Sequence, residues 1–172
     1  NCGLHDLLVL FGYQGRLLRP LPRLGYRAEQ VAQGFKDRSG KWHPLPLGKL
    51  PGRPYYHWSQ TADIYRLASV QGFAVSHGEQ QMYAGDALFV SDHPLTWATE
   101  RRPYLVVMEG NPAARYLDVY EGEGKSFLEA YRRTLSDPTR LDWNRFCNRF
   151  GLDAVRVNPD EFAFRNQRSI AR

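Results

Sequence analysis

Apolar residues enter this chain in short bursts, and the spacing inside the bursts changes along its length. Over the first fifty residues Pro and Gly interrupt the runs, as in "LRPLPRLGY" and "SGKWHPLPLGKLPGRP". Such a texture predicts short strands and loops in place of long helices. The longest apolar run, "LLVLF" at 7–11, suits a buried strand. From Tyr55 the pattern tightens. "PYYHWS" reads as a strand, and in "TADIYRLASVQ" Ile64, Leu67, Ala68 and Val70 form a stripe at helical spacing that Gly72 ends.

"GFAVSH" and a looser "GEQQMYAG" come next, then "DALFVSD", a short apolar strand. In "HPLTWATE", Asp92 as cap and Pro94 near the first helical position predict the opening turns of a helix. "PYLVVMEG" and "ARYLDVY" read as strands. "GKSFLEAYRRTL" and "DPTRLDWNRFCNRFG" read as amphipathic helices, the second with Leu141, Phe146 and Phe150 on one face. "DAVRVNPDEFAFRNQRSI" predicts two strands joined by an Asn-Pro-Asp-Glu turn. The expected class is α+β, in a single domain over 1–172 whose portion 1–53 is the least regular.

At 172 residues, with 42% hydrophobic and 24% charged side chains, the chain can bury a real core and falls outside the disordered class. No apolar run reaches the roughly 18 residues that a bilayer span needs, so no membrane partner is expected. The formal charge of +5 favours polyanionic partners such as RNA, DNA or a dinucleotide, or an acidic protein surface. Two cysteines, Cys2 and Cys147, make neither a disulfide framework nor a metal motif, and read as plain thiols in a reducing compartment. No metal site is expected. The sequence starts at Asn1, without an initiator Met or a signal-peptide pattern, as expected for a piece cut from a longer polypeptide.

The polar residues of interest sit at strand ends. His57 closes a strand with Ser59 two positions on, Phe89 lies inside "DALFVSD", and Glu161 opens the last strand. Taken singly, a His at a strand end is usually structural, a Phe within such a strand is usually core, and a Glu on a turn is usually solvated. Their order along the chain carries more. "YYHWSQTADIYRLASVQGF" resembles the "YHGT…helix…GF" segment that opens the NAD site of ADP-ribosyltransferases. "GDALFVSDHPLTWAT" is similar to the strand and helix that follow it, "YLVVMEGNPAARYLDV" to the next strand pair, and "DAVRVNPDEFAFRNQRSI" to the closing segment. The resemblance covers about 54–172 and is greatest to the His–Tyr–Glu subgroup, which includes diphtheria toxin and the poly(ADP-ribose) polymerases.

That resemblance implies a split β-sheet core with flanking helices and NAD as co-substrate. His57 would bond a ribose hydroxyl, the Trp58 backbone would hold the nicotinamide carboxamide, and Ser59 would support the same pocket. An aromatic ring would stack on nicotinamide, with Phe89, Trp97, Tyr83 and Tyr56 as candidates. Glu161 would stabilise the positive carbon that forms as nicotinamide leaves, a role that acts mainly on the transition state. The chain departs from the pattern in three places: Trp58 replaces the Gly after His, Phe89 replaces Tyr, and Pro159 stands where arginine-modifying relatives carry Glu or Gln. "LGYRAEQVAQGF" is similar to the opening of the Arg–Ser–Glu subgroup, in which Arg27 would bind NAD phosphate.

The resemblance further implies a bacterial toxin or effector part, acting in a target-cell cytoplasm on an RNA or protein acceptor, with an acidic immunity protein as partner. "RFCNRF" and "FAFRNQR" interleave aromatics with arginines, a pattern that docks nucleic acid or simply forms solvated amphipathic faces. Competing expectations are an NAD-dependent RNA 2′-phosphotransferase, a metal-independent nuclease using His57, His77 or His93, and a binding domain without turnover.

Overall fold

Alternation of side chains along "PYYHWS" organises the centre of the molecule. The computed structural model describes residues 31–64 and 85–171, with the paired strands β1 (Arg19–Pro20) and β5 (Ala74–Val75). β2 (Gly34–Lys36) and β3 (Trp42–Pro44) form a hairpin. Asp37 closes it, accepting from the Ser39 amide at 2.9 Å and hydroxyl at 2.6 Å and facing His43 Nε2 at 2.8 Å. The bonds to Ser39, then that to His43, hold the Asp37 carboxyl well below the usual range.

β4 (Pro54–Ser59), β6 (Leu88–Ser91), β7 (Tyr104–Glu109), β8 (Tyr116–Asp118), β9 (Ala154–Asn158) and β10 (Glu161–Phe164) form a six-stranded sheet in the order β7-β4-β6-β10-β9-β8. β8 and β9 run parallel, and the chain between them supplies α1 (Gly122–Arg133) and α2 (Trp143–Phe150). α2 begins at Asp142, which accepts from the Arg145 amide, and ends at Gly151 with φ 60°, a left-handed stop that glycine adopts without strain. The architecture is α+β with a mostly sheet core, as expected.

The period of two divides the sheet's side chains cleanly. One face carries Tyr55, Leu88, Val90, Val106, Met108, Phe162 and Phe164, packed with Leu50, Ile64 and Tyr116. On the other face, Leu117 and Val155 pack with Phe127, Tyr131, Phe146 and Phe150 of the two helices and with Phe35 of the hairpin. Gly124 lets α1 approach β8, because a Cβ there would overlap the Asp118 carbonyl. The helices thus cover this second face at its β8–β9 end. At the β7–β4 end Val107 is 55% exposed and Tyr56 and Trp58 are half-buried.

"LLVLF", the rest of the helix expected after Ile64, and Cys2 lie outside the described residues. "HPLTWATE" departs from expectation, since residues 92–100 form successive turns. Ser91 supplies the cap, its Oγ accepting from the His93 amide at 3.0 Å, while Asp92 faces Arg53 at 3.2 Å. Trp97 then turns to φ 62°, which no helix continues through. Among the described residues no helix is long and apolar enough to cross a membrane, and no group of three or more His, Cys, Asp or Glu gathers as for a metal.

Candidate functional site

Three adjacent strands carry Tyr56, Ser91 and Glu161 in one cross-strand row. Tyr56 pairs with Ser91 across β4 and β6, and Ser91 pairs with Glu161 across β6 and β10. Direct partners share a face of the pleat, so this row lies on the face that the helices leave uncovered toward β4 and β7. Trp58 follows Tyr56 on the same face, opposite Leu105 of β7.

Beyond the row the sheet opens. β4 pairs with β7 along its whole length, from Pro54 opposite Glu109 to Ser59 opposite Tyr104. It pairs with β6 at Tyr56 and Ser91 alone. His57 stands where this second ladder stops, and its Nδ1 lies 2.8 Å from the Phe89 carbonyl oxygen. A carbonyl can only accept, so Nδ1 carries the hydrogen, and the neutral ring keeps Nε2 as an acceptor. Burial lowers the His57 pKa; the Phe89 bond works against that, and the nearby Arg102 charge adds to it. The imidazole therefore wedges the seam between β4 and β6 in its neutral form.

The seam also qualifies the expected pairing of His57 with Glu161. His57 is one residue past Tyr56, so the pleat starts its side chain from the Tyr55 face, opposite to that of Glu161. The two stand on opposite faces of the sheet, with β6 between their strands. Ser59, near its far end, accepts from the Thr61 amide at 3.3 Å and keeps its own hydroxyl proton. Among the described residues no strand pairs with the seam side of β4 after Tyr56, which leaves backbone groups there for a ligand.

Residues 92–100 form a strap over the row. The Trp58 indole donates to the Pro94 carbonyl at 2.7 Å, and the Thr96 hydroxyl donates to Asp160 at 3.0 Å, so the strap is tied to β4 on one side and to the turn before β10 on the other. Just past the second tie, Trp97 packs against Phe89, Ala87 and Ala163. Phe89 is 5% exposed and is a packing ring beneath Trp97. Of the rings expected to stack on nicotinamide, Trp97 and Tyr56 are half-buried. Arg27 and Tyr83 lie outside the described residues.

The turn that delivers Glu161 is held from three directions. Asn158 Nδ2 donates to Glu161 Oε2 at 2.6 Å. Arg156 donates to the Pro159 carbonyl from Nε at 3.3 Å and Nη2 at 2.9 Å. The same guanidinium reaches Asp118 at 2.9 Å and Glu121, the N-cap of α1, at 2.7 Å. Burial opposes its charge, but the Glu121 and Asp118 carboxylates outweigh this and raise its pKa. Asp160 supplies the third hold through Thr96.

Sequence reading missed Ser91, Asn158, Arg156 and the strap's two ties. Only the Asn-Pro-Asp-Glu turn gave a local hint, since short polar residues in a tight turn bond back to their neighbours. A separate groove between the β2–β3 hairpin and α1, lined by Lys41, Pro44, Phe127 and Arg133, shares no residue with the row. The row and the strap share one face, which carries the Glu161 carboxylate and the half-buried Tyr56, Trp58 and Trp97 rings, while the neutral imidazole reaches the seam from the opposite face. Comparison with protein-family models, with curated proteins and with solved structures gave no match, so the site is read from its own geometry.

Proposed function

We propose that the chain is an NAD-dependent ADP-ribosyltransferase of the His–Tyr–Glu kind, a toxin or effector part that moves ADP-ribose to a macromolecular acceptor and releases nicotinamide. The observation that carries this reading is the seam that opens at His57 beside the Tyr56–Ser91–Glu161 row. A split β-sheet core is what the resemblance implies.

NAD supplies an anomeric carbon with a good leaving group. The residues present suit such a molecule. His57, held by Phe89, offers Nε2 to a sugar hydroxyl. Trp97, in place of Phe89, serves as the stacking ring. The Glu161 carboxylate, oriented by Asn158, faces positive charge that develops on the sugar, and a fixed anion lowers that barrier without reorganisation. It is also the base for the acceptor's proton.

Phe89 brings no hydroxyl and Asn158 already occupies one Glu161 oxygen, features that favour a second reading as a binding domain without turnover. Incubation with labelled NAD and a cell lysate separates the two. A labelled macromolecule with native protein, absent with Glu161→Gln, supports transfer. NAD retention without label in any macromolecule supports the binding domain. RNA cleavage without NAD removes both in favour of a nuclease.

A further inference from the structure

Arg102 stands apart from the other arginines placed near this site. Arg53 faces Asp92, and Arg156 is satisfied by two carboxylates and a carbonyl. Arg102 is half-buried, yet among the described residues no carboxylate, carbonyl or ring engages its side chain. With none of its five donors engaged there, the guanidinium is free to meet an anion that enters from solvent. Its place is fixed by backbone: its amide donates to Thr99 at 3.0 Å, closing the strap. Two residues later Tyr104 pairs with Ser59, at the end of β4. Arg102 thus lies where the strap and the seam both end, close enough for its charge to act on His57.

We infer that Arg102 is the anion-binding residue of this site and grips a phosphate group, which in NAD is the pyrophosphate. A planar guanidinium with five donors matches phosphate oxygens in pairs, which a lysine at the same place does not. The existence of the anion site rests on Arg102's own surroundings; only the naming of the pyrophosphate rests on the proposed function.

The test titrates the native chain, Arg102→Ala, Arg102→Gln and a Lys125→Ala control with ADP-ribose, inorganic pyrophosphate and nicotinamide, at low and moderate salt. Lys125 is exposed on α1 and carries the same charge. ADP-ribose binding should weaken at least tenfold in both Arg102 variants, with a shallower salt dependence. The control should stay within twofold of native, and nicotinamide, which has no phosphate, should bind all four alike. Because Arg102 touches no described partner, its variants should melt within a few degrees of native. ADP-ribose binding within twofold of native in folded Arg102 variants overturns the inference and leaves the NAD reading standing. Arg102-dependent pyrophosphate binding without ADP-ribose or nicotinamide binding keeps the anion site and removes the NAD reading. A native chain that binds none of the three probes ends both.

Discussion

The imidazole of His57 donates to the carbonyl of Phe89 across a gap where their two strands no longer pair. A side chain thus takes the place of a ladder bond, and its protonation state becomes part of how the sheet holds together.

Stability should therefore fall as pH drops below the unfolded histidine value of about 6.5. The folded pKa of His57 is depressed, chiefly by burial. Its stabilising effect is full above the unfolded value and is lost as pH falls toward the folded one, where the unfolded chain binds the extra proton. Melting temperatures of native and His57→Asn proteins between pH 7.5 and 5.5 check this. Asn can donate to Phe89 without titrating, so its loss over that window should be the smaller. Equal losses would show that His57 does not carry the effect.

Glu161→Gln should reduce ADP-ribose transfer by about 10²- to 10³-fold, the scale for removing one electrostatic stabiliser of a transition state. Its melting temperature should stay near native, since the residue is half-exposed on a strand end. Asn158→Asp would replace the amide donor to Glu161 with a second carboxylate that repels the first, so transfer should fall further than in Asn158→Ala. Equal rates in the two variants would argue that the Asn158 contact is not kept during turnover.

Arg156→Ala should cost about 1–2 kcal/mol in denaturant unfolding. The Asp118 side chain is 26% exposed and Glu121 65%, so water replaces much of what the guanidinium provided. Lys at this position should recover one carboxylate contact but not the paired bonds to Pro159. If Arg156 also positions the turn, kcat should fall in the Lys variant more than KM rises, a split that lost stability alone does not give.

Trp97→Gly should be more stable than Trp97→Ala by about 1 kcal/mol, the reverse of the usual order for these two residues. Both lose the packing on Phe89, but only Ala retains a Cβ at φ 62°. Chemical unfolding of the pair decides it, and Ala equal to or above Gly would mean the backbone relaxes at no cost.

Local pattern made much of this architecture legible. "PYYHWS", "PYLVVMEG" and the final strand pair could be read from alternation and turn residues, and the "GKSFLEAYRRTL" helix from its apolar stripe. Failures came where a side chain bonded to its own backbone. Asp137 accepts from the Thr139 amide and hydroxyl, so "DPTRL" is a turn and α2 starts only at Trp143. Ser91 redirects "HPLTWATE" in the same way, and the left-handed backbone of Trp97 turns it again. The place of Glu161 at the opening of a strand was legible from the turn before it. Its neighbours Tyr56 and Ser91 come from strands 105 and 70 positions earlier, and only sheet order brings them together.

That order places the strand made last, 161–164, between β6 and β9 in the middle of the sheet. A nascent chain emerging from a ribosome would hold two open strand edges until this segment arrives to join them. The sheet then closes only when this segment joins it, and any copy cut short before residue 161 would keep those edges open and prone to pair with other chains.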